Sequence, residues 1–108
     1  MTKRHKATAG LEITTFLLKG YSCEEFITAN TDIDAWLLRQ PGFQSRGIAQ
    51  QEDGRIVDML VWDSVAHGTK AMHKIMNEMG HSKVHAMIDQ SSVAWSCTPV
   101  YHQLNQPD

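Results

Sequence analysis

The Asp53-Gly54 pair stands between two segments of period-two character, and it constrains the fold more than any other feature of the chain. Asp-Gly accepts the positive φ angles of a tight hairpin, so Gly42 to Gln51 and Arg55 to Trp62 are expected to pair antiparallel. On the first segment Ser45, Gly47 and Ala49 fall on one side, and Gln44, Arg46, Ile48 and Gln50 on the other. On the second, Val57, Met59 and Val61 make an aliphatic side, while Asp58, Leu60 and Trp62 make a mixed one. Both faces of this strand need a cover, and one layer of helices supplies only one. The other face calls for a partner or a cavity.

Elements on either side complete the pattern. Leu11 to Leu18, rich in β-branched and aromatic residues and broken by Lys19-Gly20, reads as a first strand. Ser22 and Glu25 form a capping box that opens a helix from Cys23 to Arg39, with Phe26, Ile33, Trp36 and Leu37 at helical spacing and Pro41 beyond its end. After the hairpin, Asp63 or Ser64 caps a second helix whose apolar stripe is Val65, Met72, Ile75, Met76 and Met79, with Gly80 at its end. His81 to Ile88 adds a short helical turn, and Val93 to Pro99 a last strand with Val93, Trp95 and Cys97 on one side. The order β, α, β, β, α, β predicts an α+β fold, a four-stranded antiparallel sheet with two main helices on one face.

At 108 residues the chain is one domain, expected over residues 11–102, with a flexible arm at residues 1–10 and a flexible tail at residues 103–108. A formal charge of -2 supplies no basic field for nucleic acid or an anionic membrane, so neither is expected as a partner. The opening residues carry charge with no apolar run behind them, and a cytoplasmic location follows by default. Cys23 and Cys97 are too few for a disulfide scaffold or a thiolate zinc site and are expected as buried, reduced thiols.

Gln40-Pro41-Gly42-Phe43, Asp53-Gly54 and Trp62-Asp63-Ser64 together resemble the dimeric α/β barrel superfamily in its antibiotic biosynthesis monooxygenase branch. The likeness spans Leu11 to Tyr101. It implies a ferredoxin-like protomer whose sheet packs on that of its twin in a homodimer, with helices outside and a small pocket between helices and sheet. It also implies a cofactor-independent reaction of an aromatic or quinol-like substrate with oxygen, in which the substrate supplies the electrons. A non-catalytic dimer holding a small hydrophobic or aromatic molecule is the main alternative.

Trp62 matches the family tryptophan that lines the pocket, offering an apolar wall and one N–H donor. Asp58 on the mixed face is either paired with Arg46 across the hairpin or free for proton transfer. His73, eleven positions after Trp62 on the second helix, is the other catalytic candidate. Arg46, Met72 and Met76 join Trp62 as substrate-binding candidates, the methionines as a soft wall for a flat ligand. Trp62 and His73 also match the spacing used by haem-degrading relatives, but the pocket asparagine those relatives carry in strand one is absent from Leu11 to Leu18. His81 and His85, four apart, would share a helix face without a third ligand, so no metal site and no cofactor are expected.

Overall fold

The computed structural model describes residues 8–107; most of the expected N-terminal arm and the last residue of the expected tail lie outside the described residues. The elements run β1 (Gly10–Leu18), α1 (Cys23–Ala29), α2 (Thr31–Leu37), β2 (Phe43–Gln50), β3 (Ile56–Trp62), α3 (Val65–Met79), α4 (Val84–Met87) and β4 (Ile88–Pro99). The four strands form one antiparallel sheet in the order β2-β3-β1-β4.

The local signals act where the sequence places them. Ser22 Oγ accepts from Glu25 N at 3.0 Å and Glu25 Oε1 accepts from Ser22 N at 2.8 Å, closing the capping box of α1. Gly54 takes φ 92°, and Asp53 Oδ1 accepts from Arg55 N at 3.0 Å in the β2–β3 turn. Ser64, rather than Asp63, caps α3 through His67 N at 3.1 Å.

Two expectations are corrected. The helix expected from Cys23 to Arg39 is broken at Asn30 and ends at Leu37. The backbone N–H of Asn30 bonds to Ile27 O, one residue short of helical spacing, and its side-chain amide donates to Phe26 O at 2.8 Å. That geometry leaves Oδ1 free to receive Arg46 at 2.9 Å, so the break supplies a buried acceptor. The last strand is longer than Val93 to Pro99 because it contains a wide irregularity: Thr15 faces Ala94, but Leu17 faces Asp89. Ser92 Oγ fills the gap, accepting from Leu17 N at 2.8 Å and donating to Asp89 O at 2.6 Å.

The two faces of β3 differ as their alternation requires. Ile56, Asp58, Leu60 and Trp62 are all buried beneath the helices. Val57, Met59 and Val61 lie on the opposite face, where Met59 remains 38% exposed. Leu11 and Ile13 pair with Val61 and Met59 and extend that aliphatic surface onto β1. The core on the helix side joins Phe16, Phe26, Trp36, Ile56 and Trp62, with Phe16 and Phe26 edge to face at 5.4 Å.

Candidate functional site

Between the inner sheet face and α2, α3 and α4 lies a cavity of about 410 Å³. Trp62, Arg46, Met72, Met76 and Asp58 all line it, so five of the six residues expected at a site converge there. His73 does not. It is exposed and outside the cavity lining, because Ala71, Met72 and Ile75 take the inward side of α3. His73 is therefore not brought to this cavity with the other candidates, and the haem-type pairing of Trp62 with His73 is not assembled across it.

Asp58 is paired. Arg46 grips it with Nε–H at 3.0 Å and an Nη2–H at 2.7 Å, a bidentate contact, and also reaches Asp34 at 2.7 Å and Asn30 at 2.9 Å. Burial opposes the guanidinium charge, yet the bonds and charges of Asp58 and Asp34 outweigh it and hold Arg46 above its ordinary range. Each oxygen of the Asp58 carboxylate accepts one bond of this fork, and the charge pairing fixes the floor of the cavity beneath α2.

The carboxylate that sequence reasoning missed is Glu12. It is the third residue of β1, 8% exposed, opposite Leu60 on one side and Cys97 on the other. Trp62 Nε1–H donates to its Oε1 at 2.8 Å, and Trp95 Nε1–H donates to its Oε2 at 2.7 Å. Burial pushes the Glu12 carboxyl above its ordinary value, and the two indole bonds only partly offset this. Burial and then the negative charge of Glu12 in turn push the Cys97 thiol up, which favours its protonated form. The available signal was a lone charged residue inside an apolar strand, in phase with Thr14 and Phe16.

The aromatic wall is held rigidly. Trp62 is 1% exposed and meets Phe43 edge to face at 5.5 Å. Gly68 lets α3 approach its ring, since a Cβ there would stand 2.8 Å from Trp62 Cδ1. Trp36 lines the cavity with its N–H given to Glu78 at 2.8 Å, while Trp95, 39% exposed, lines it from β4. His85 also lines the cavity and gives its Nε2–H to Met79 O at 2.9 Å; His81 is exposed, and α4 begins only at Val84, so the two histidines do not share a helix face. The thiols Cys23 and Cys97 are only partly buried.

At the start of α3, outside the cavity, His67 Nδ1 and Asp63 Oδ1 are 2.6 Å apart, and the hydrogen bond from His67 holds the Asp63 carboxyl below its usual value. Among the described residues no three His, Cys, Asp or Glu side chains gather as metal ligands, and no helix is long and apolar enough to cross a membrane.

No protein-family model matches the chain, and no curated protein matches it by sequence. Its fold is nonetheless shared with solved structures. The cofactor-independent oxygenase SnoaB from Streptomyces nogalater, in a mutant form, aligns with TM-score 0.72 at 18% identity over 93% of this chain and 100% of its own. The monooxygenase ActVA-Orf6 of Streptomyces coelicolor, in complex with Nanaomycin D, aligns at 0.70 and 13% identity over 94% and 95%. A dimeric ferredoxin-like protein from an uncultured marine organism aligns at 0.69 and 17% identity over 93% and 94%. By fold, this chain is a ferredoxin-like α+β protein of the architecture that these monooxygenases and dimeric proteins share.

Proposed function

We propose that this chain is a homodimeric, cofactor-independent monooxygenase that takes a small aromatic or quinol-like substrate into the cavity between α3 and the sheet. The observation that carries this reading is the cavity itself: apolar and aromatic side chains make up most of its lining, and a few buried polar groups stand at fixed positions on the strand side. Trp62, Met72 and Met76 form the wall for a flat ring, and the Arg46–Asp58 pair fixes the polar floor. Dioxygen is the oxidant: one oxygen atom enters the product, the other leaves as water, and the substrate supplies the electrons. A dry, preorganised pocket is what such chemistry asks of a protein.

The aliphatic face of Leu11, Ile13, Val57, Met59 and Val61 supports the dimer. An isologous pairing of two such faces covers both, leaving the cavities on the outer sides of the paired sheets. Oxygen consumption across a panel of dihydroxyaromatic compounds tests the activity, which predicts uptake above the uncatalysed rate for at least one of them.

A second reading, a ligand-binding dimer without turnover, is favoured by the engagement of Asp58 with Arg46 and the exposure of His73. It predicts saturable binding of an aromatic compound with oxygen uptake unchanged.

A further inference from the structure

We propose that Glu12 is the proton acceptor of this cavity, touching the substrate, and that it restricts the cavity to neutral hydroxyaromatic molecules while rejecting anionic ones. The inference rests on the reading of the cavity as a ligand site and adds to it a substrate charge class and a residue.

The geometry of the carboxylate carries it. An ionised carboxylate has about four lone-pair sites. The indoles of Trp62 and Trp95 each fill one, on different oxygens, and thereby fix the plane of the group. Acceptor positions remain on each oxygen, and Glu12 lines the cavity. Unlike Asp58, it has no cationic partner gripping it among the described residues. A carboxylate held by neutral donors in a buried site is a stronger base than one in an ion pair.

The groups facing it are few. Asp58 on β3 raises the cost of further negative charge, Arg46 on β2 lowers it while committed to Asp58 and Asp34, and Cys97 on β4 faces Glu12 as a thiol whose ionisation Glu12 itself opposes. The side of α3 that lines the cavity is Ala71, Met72, Ile75 and Met76, none of them titratable, and α4 presents His85. Two carboxylates against one guanidinium leave the ionised cavity with one net negative charge. An incoming carboxylate or sulfonate therefore meets like charge against a mostly apolar lining, which opposes its binding. A neutral phenol instead donates its O–H to Glu12. On transfer the substrate O–H bond breaks, an Oε–H bond forms on Glu12, and the electron pair stays on the substrate as a phenolate; no oxidant is consumed in that step.

Binding of three probes tests the proposal: 2-naphthol, its methyl ether and 2-naphthoate, followed by tryptophan fluorescence on the full chain. At about pH 8 the wild type is expected to bind 2-naphthol about tenfold or more tightly than either of the others. Glu12→Gln should bring naphthol and naphthoate within about threefold. The wild type carries its own control, because the preference over naphthoate should fade as pH falls through the titration of Glu12. Trp95→Phe, which removes one donor to the charged form, should move that fade to higher pH. A purely structural role for Glu12 would move neither. Equal binding of all three probes by the wild type, or a preference unchanged in Glu12→Gln, overturns the role of Glu12 and leaves the ligand cavity standing. Failure of every probe to bind overturns the cavity reading and the proposal together.

Discussion

The indole N–H of Trp62 donates to Glu12 Oε1 at 2.8 Å across fifty positions of sequence, inside a region where both residues are almost wholly buried. The bond joins the end of β3 to the first half of β1 and holds the cavity wall and its carboxylate in one orientation. A hydrogen bond to a charged acceptor contributes about 1.5–3 kcal/mol, and a truncated buried ring adds a packing loss. Trp62→Phe should therefore destabilise the fold by about 2–4 kcal/mol, measured by urea denaturation, and should weaken binding of any aromatic ligand.

Glu12 also gives stability a pH dependence. Its folded carboxyl titrates above the ordinary value of 4.5, so over that interval the folded chain holds a proton that the unfolded chain has released. Stability from this source is full below about 4.5 and is lost as pH rises through the raised folded value. Denaturation midpoints measured across this window should fall with rising pH more steeply in the wild type than in Glu12→Gln.

The Arg46–Asp58 pair, with both side chains 11% exposed, is a buried charge pair. Arg46→Met leaves Asp58 without its cation and should cost about 3–5 kcal/mol, whereas the double change Arg46→Met with Asp58→Leu should recover most of that loss. A double-mutant cycle by chemical denaturation checks this, and additive losses would contradict it.

Much of this arrangement was legible in the sequence. The alternation of Val57, Met59 and Val61 with Asp58, Leu60 and Trp62 separates the two faces of β3, and the Asp53-Gly54 turn fixes the strand it pairs with. Ser22 with Glu25 marks the start of a helix because capping is a matter of near neighbours. Glu12 was not legible. Its two donors lie fifty and eighty-three positions away, and only the β3-β1-β4 register brings them to one carboxylate. Asn30 was hidden for a related reason: the break it makes in the helix is coupled to a guanidinium that arrives from β2. His73 misled because it sits beside the apolar stripe in sequence while helical rotation turns it to solvent.

The open sheet face makes a separate prediction. Met59 is 38% exposed in the protomer, so Met59→Glu should be nearly neutral for an isolated chain. In a dimer paired through this face it places charges in the interface. Sedimentation should show a dimer for the wild type and a monomer, still folded by circular dichroism, for Met59→Glu.

The most direct test of the central claim is the NMR response of the methionine methyls and indole N–H groups to a hydroxyaromatic ligand. Met72 and Met76 line the cavity from α3, Trp62 and Trp95 border it from the sheet, and Met59 lies on the far side of β3. Saturable shifts of Met72, Met76 and the indole N–H signals of Trp62 and Trp95, with Met59 unmoved, are the predicted result. Shifts confined to Met59, or no saturable response at the cavity residues, would contradict a ligand site between α3 and the sheet.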